Sequence, residues 1–221
     1  MRALVAAAGS AALLAAIPAQ AGTVELRYAG AASALATQVL LPVRSAPVTV
    51  RMGAFNIAQQ SAAGSFLAYC SDPFQYSSSR FHSYGVTSLA DALAGAPARL
   101  NDVTALFGNA YAASLASPLK SAGFQLALWE LWHDDGNLAG GIVQVTGRTR
   151  AAVRDEAQSL LDRIPGWTAG TPYDITVYVN DRYQNYVAAI PVPEPGAWAL
   201  LLAGLGVIAG AGLRRKQRTE A

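Results

Sequence analysis

The chain holds a single cysteine, Cys70, and 55 positions later a glutamine, Gln125, inside the run Phe124-Gln125-Leu126-Ala127-Leu128-Trp129. A thiol and a carboxamide can exchange acyl groups. The thiolate attacks the carboxamide carbon, ammonia leaves, and the resulting thioester is a far better acyl donor than the amide it replaced. Such a pair must be held at bonding distance on rigid elements and kept from water. Tyr69, Phe124, Trp129 and Trp132 stand beside the two residues and are the candidates to cover the bond. An amine or hydroxyl would then take the acyl group and leave the cysteine as a thiol. Where such a pair forms, that is one covalent event per molecule, the act of a single-use linker and not of an enzyme.

Other chemistries have weaker support. His82 and His133 are the chain's two histidines, and neither stands in a cysteine-hydrolase signature. Eight residues of helix separate His133 from Gln125 and rotate it by about 80°. His133-Asp134-Asp135-Gly136-Asn137 lacks the alternating acidic ligands of a calcium loop and reads as a helix end followed by a turn. No metal-ligand cluster, phosphate-cradling glycine loop or paired carboxylates stand out, so no cofactor and no metal are expected.

The elements that would position Cys70 and Gln125 follow from apolar periodicity. Val24–Tyr28, the run around Val48–Met52 and Ser65–Tyr69 read as strands, the last ending at Cys70. Ser88 is placed to cap a short helix through Leu93, and a second is expected from Asn101 or Asp102 through Phe107. The strongest helical pattern runs from Pro118 to His133 and carries Gln125. A short strand at Ile142–Thr146, an amphipathic helix at Thr149–Ile164, and a hairpin of Tyr173–Val179 with Tyr183–Ile190 around Asn180-Asp181 complete the body. The fold class is therefore α+β, with β-sandwich or barrel-like strands at both ends of the domain and a helical middle.

The two ends of the chain account for its apolar composition. Hydrophobic residues make up 52% and charged residues 14%, low against the roughly 25% usual for soluble domains. Arg2, an apolar run from Ala3 to Ile17, and Pro18-Ala19-Gln20-Ala21 form a signal peptide over residues 1–21. At the other end Gly196–Leu213 is 18 residues without a charge, followed by Arg214, Arg215, Lys216 and Arg218. This segment is long enough to span a bilayer, with its basic end in the cytoplasm. Without these ends the body has two more acidic than basic residues, so the pI near 8.8 reports topology and excludes nucleic acid as a partner.

Val192-Pro193-Glu194-Pro195-Gly196, the apolar span and the Arg-rich terminus together resemble the PEP-CTERM sorting signal, here residues 191–221. Two prolines around Glu194 hold the segment extended at the membrane face. The resemblance implies signal peptidase and an exosortase as partners and transient residence in the inner membrane of a Gram-negative bacterium. Release to the cell surface, biofilm matrix or exopolysaccharide would follow. The exported body, residues 22–190, then has one cysteine with three possible fates: a buried inert thiol, an intermolecular disulfide or a reactive group.

An aromatic-Cys strand end, Tyr69-Cys70, with a later Gln-x-Ala-apolar-Trp helix, Gln125 to Trp129, resembles the thioester domains of bacterial surface adhesins. That resemblance implies a Cys70–Gln125 thioester and adhesion through a surface or matrix nucleophile, a protein lysine or a polysaccharide hydroxyl. This chain has Phe124 where the family's helix motif usually has threonine. The other reading is a noncovalent structural or exopolysaccharide-associated protein with an inert buried cysteine.

Overall fold

A computed structural model describes residues 22–41 and 46–192. The signal peptide, the Pro193-Glu194-Pro195 motif, the membrane span at 196–213 and the basic residues from Arg214 to Arg218 lie outside the described residues. Among the described residues no helix is long and apolar enough to cross a membrane.

Among the described residues seven strands, all paired antiparallel, run β1 Thr23–Leu40, β2 Val48–Gln59, β3 Ser65–Cys70, β4 His82–Ser88, β5 Gln144–Val145, β6 Tyr173–Val179 and β7 Tyr186–Pro191. Their order is β2-β3-β7-β6-β4-β1-β5, and β1 also pairs with β2. Leu26 has partners on both sides, Gln59 of β2 and His82 of β4, so the sheet closes on itself at the start of β1. The helices are α1 Leu89–Ala92, α2 Pro97–Ser114, α3 Pro118–His133 and α4 Ala151–Leu161, with a 3-10 turn at Ile164–Gly166.

The α+β class and most elements match the sequence pattern, with informative departures. The expected strand Val24–Tyr28 continues to Leu40 through the Ala-rich run 29–39, which has weak strand propensity of its own. Pairing along β2 holds it extended, with register shifts at Tyr28/Gly30 and Ala31/Ser33. The second helix starts at Pro97, not at Asn101 or Asp102, because proline is suited to a first helical turn that needs no N–H. Strand β4 lies where the sequence pattern gave no element. The strand expected at Ile142–Thr146 keeps ladder pairing only at Gln144–Val145, and the helix expected at Thr149–Ile164 is continuous only over α4.

Helix α3 is the centre of the molecule. Every residue from Ser121 to Leu131 is buried, polar Ser121, Gln125 and Glu130 included. A helix covered on all sides needs no amphipathic stripe. Ser117 caps it by accepting from the Lys120 N–H, and Pro118 occupies its first turn. At Gly123 a β-carbon would run into the Glu156 side chain and the backbone of α4, so glycine sets the closeness of α3 and α4. After the helix, the Asp134 carboxylate accepts from the Ile142 and Val143 N–H groups. Gly141, at φ +76°, packs against that carboxylate where a side chain has no room.

Candidate functional site

Strand periodicity separates Tyr69 from Cys70. Successive side chains point to opposite faces, so one residue faces the helices and the other the interior of the closed sheet. Tyr69 takes the helix side, where its ring lies 4.6 Å from Phe124 and 6.2 Å from Tyr111 between ring centroids. Its hydroxyl joins a chain of hydrogen bonds whose direction can be read. The Ser114 hydroxyl donates to the Tyr111 carbonyl at 2.6 Å. Tyr69 therefore donates to Ser114 at 2.7 Å, and Ser121 donates to Tyr69 at 2.9 Å. Ser121 in turn accepts from the Ala54 N–H at 2.8 Å. This relay fastens α2 and α3 to β2 and β3, and burial holds the Tyr69 phenol up at about 12.

Cys70 takes the other face, opposite Tyr186 of β7. The ladder to β2 stops at Phe55–Ala68, so the main chain of Cys70 has no β2 partner. Gln125 supplies one. Its Oε1 accepts from the Cys70 N–H at 2.9 Å, and its Nε2 donates to the Cys70 carbonyl at 2.7 Å. The carboxamide thus stands in for a peptide unit of a neighbouring strand. Trp129, one turn along α3, donates its indole N–H to the same carbonyl at 2.9 Å. His133, one turn further, meets the Ser71 carbonyl at 2.6 Å through Nε2. A carbonyl can only accept, so Nε2 carries the proton; burial lowers the imidazole's affinity for a second one.

Residues 125, 129 and 133 thus form one row along α3 that grips consecutive residues at the end of β3. The resemblance to thioester domains groups Cys70, Gln125 and Trp129, and the structure sets the Gln125 and Trp129 side chains on the Cys70 main chain. The sequence pattern gave His133 no such contact, although the spacing of four was its signal. Of the expected covering residues, only Trp129 lines the cleft at Cys70. Tyr69 and Phe124 back the site from the helix side, as the period of two demands. Trp132 lies seven residues and about 10 Å along the helix axis from Gln125. It packs half-buried against the core, with its carbonyl accepting from Arg99.

The Cys70 thiol is almost fully buried, and burial, aided by the charge of Asp72, pushes it well above the usual thiol range. Neither histidine is hydrogen-bonded to it. His82 bonds Ser78 and stacks on Tyr183 at 3.8 Å. Beside Cys70 opens a cleft of about 290 Å³, walled by Tyr28, Phe55, Tyr76 and Trp129, with Arg51, Gln75 and Gln184 among its polar groups. The arrangement holds the carboxamide on the main chain of the residue that bears the buried thiol, with a cleft beside it.

A family model for the PEP-CTERM protein-sorting motif matches residues 191–216. No curated protein matches the chain. Among solved structures the chain is similar to the N-terminal domain of the Streptococcus pyogenes pilus tip adhesin Cpa, at 12% identity and a TM-score of 0.44, over 68% of this chain and 86% of that one.

Proposed function

We propose that this protein, whose PEP-CTERM motif marks it as an exosortase-processed, exported surface protein, attaches covalently to a partner through a thioester between Cys70 and Gln125. The observation that carries the reading is the double hydrogen bond between the Gln125 carboxamide and the main chain of Cys70. Those two bonds lie in the hydrogen-bonding plane of β3, and a strand side chain stands out of that plane. The thiol on the same Cα stands out of that plane, and addition to the carboxamide carbon requires it to approach from the carboxamide's face.

Sulfur bonds to Cδ of Gln125, the C–N bond breaks, and Nε2 departs as ammonia with the thiol proton. Of the two donors to the Cys70 carbonyl, Trp129 remains. Burial serves the product. A buried acyl link is kept from water and persists until a nucleophile enters the cleft. Each molecule reacts once, which makes it a linker and not an enzyme.

The test is the intact mass of the protein purified without amines. A thioester lowers it by about 17 Da, the ammonia lost on acylation. Cys70→Ala and Gln125→Ala restore the sequence mass, and methylamine adds to the wild type alone. A full mass with a titratable thiol would refute the linkage.

A further inference from the structure

The sheet splits beside Cys70. Pairing between β2 and β3 covers Phe55–Ala58 only, although β2 begins at Val48. Over its earlier residues β2 pairs with β1 alone, and after Cys70 the chain turns off to bond Asn185 and His133 through Ser71. Helix α3 wedges the split open. Its Ser121 accepts from the Ala54 N–H on one side, and its Gln125 holds the Cys70 main chain on the other. Among the described residues, no hydrogen bond joins the main chain of Val48–Gly53 to any element but β1. Alternate residues of an antiparallel strand direct both main-chain groups away from a given neighbour, so half of this stretch offers donors and acceptors on a free edge.

Two cavities run along that edge. Thr49, Val50 and Arg51 line the cleft at Cys70, and Val48, Thr49 and Val50 line a second cavity of about 300 Å³. Successive strand side chains point to opposite faces, so a cavity on one face touches every second residue. A cavity touched by three residues in a row lies along an edge. The other edge of Thr49, Val50 and Arg51 is closed by Gln38, Thr37 and Ala36 of β1. Pro73 and Gln75 stand in the far wall of both cavities. That wall is fastened from behind, where Gln75 Nε2 donates to the Asn180 and Asp181 carbonyls at 3.4 and 3.2 Å.

The slot thus lies where β3 would continue had its ladder with β2 gone on. Val48-Thr49-Val50 is β-branched throughout, and neither proline nor lysine blunts this edge. A row of alternating N–H and C=O groups at strand spacing is matched by another polypeptide main chain and by no sugar chain. With a wall across from the edge, the slot admits a single segment and not the broad edge of another sheet. Leu41, Val48, Val50, Pro73 and Phe74 make the second cavity largely apolar, which suits an apolar side chain on the incoming segment.

We propose that this slot takes an extended segment of a partner protein as an added strand, paired through its main chain with β2 over Val48–Arg51. A strand so placed passes Cys70 and Trp129, which line the same cleft. The pairing needs no acyl link, so the inference goes beyond the thioester and does not rest on it.

Amide exchange in the whole protein, followed by NMR, tests this with the N-acetylated, C-amidated hexapeptide Thr-Val-Thr-Val-Thr-Val as probe. In the free protein, alternate amides over Val48–Arg51 should exchange fast while those bonded to β1 exchange slowly. Excess hexapeptide should slow the fast set by about tenfold or more, in wild type and in Cys70→Ala alike. The same peptide N-methylated at every residue has no N–H to pair and should leave the rates unchanged. Slow exchange of all four amides in the free protein would mean that the edge is already closed and would overturn the inference. A fast set that the hexapeptide leaves fast overturns it as well. An equal effect of the N-methylated peptide would reduce the contact to side chains, and protection by maltohexaose in place of the peptide would make the slot a sugar site; either outcome refutes strand addition. The mass of the protein plays no part in these outcomes, so the thioester stands or falls separately.

Discussion

Gln125 and Glu130 lie five residues apart on the same helix, and neither has any exposed surface. Their surroundings are opposite. The Gln125 carboxamide uses its oxygen and its nitrogen on the Cys70 main chain. Neither carboxylate oxygen of Glu130 has a hydrogen-bond partner. Burial, with smaller contributions from Asp134 and Asp135, raises the Glu130 carboxyl to about 8. One residue is a neutral group held in place by complementary bonds, and the other is an acid that the interior keeps protonated. Buried polarity on α3 is thus of two kinds, and only the first kind can position a reacting carbon.

A large effect at every pH should come from removing the first kind. Gln125→Ala, made in a Cys70→Ala background so that no acyl link contributes, leaves the residue 70 N–H buried without an acceptor. It also empties a fully packed site. A loss of about 3 kcal/mol is expected in urea unfolding. A loss below about 1 kcal/mol would mean that the carboxamide is not a structural partner of β3, and the comparison with Glu130 would collapse.

Glu130 should behave in the opposite sense. Its folded pKa lies above its unfolded value near 4.5, so the folded protein binds the proton more tightly. The stability from this group is therefore complete below about pH 4.5 and is lost as pH rises toward 8. The slope across that window is at most about 1.4 kcal/mol per pH unit. Glu130→Gln, which never ionises, should be more stable than wild type at pH 8.5 and should lose that advantage at pH 4.5. Equal pH profiles for the two proteins would place the Glu130 carboxylate in contact with water or a cation.

The sequence shows the first of these residues and hides the second. Cys70 at a strand end and Gln125 in a helix are legible because each element carries its own period, and α3 runs from Pro118 to His133 before Asp134 as the pattern predicts. What makes them partners is the early end of the β2 ladder at Phe55, a tertiary fact that no local pattern records. The long β1 was hidden for a similar reason, since its run of alanines becomes strand only because β2 lies beside it. In β4, His82, Tyr84 and Val86 do alternate with Ser83, Gly85 and Thr87, but a glycine and several polar residues weaken the signal. The Ser114–Tyr69–Ser121 relay joins three elements and has no sequence signature at all. Glu130 looks like an ordinary helix surface residue until the helix is found to have no surface.

Trp129 sharpens the comparison with the smallest effect. In the free-thiol form the Cys70 carbonyl accepts from both Gln125 Nε2 and Trp129 Nε1. In the thioester form the first donor has left as ammonia, and the indole becomes the carbonyl's remaining partner. Trp129→Phe should therefore cost more in the wild type than in a Cys70→Ala background, where the carboxamide keeps its nitrogen. The difference should be about 1 kcal/mol, the gap between losing a second donor and leaving a buried acceptor unpaired. Both variants lose the same packing, so the paired subtraction cancels it. A cost equal in the two backgrounds would make Trp129 a packing residue, and the row of contacts from Gln125 to His133 would carry no chemical distinction.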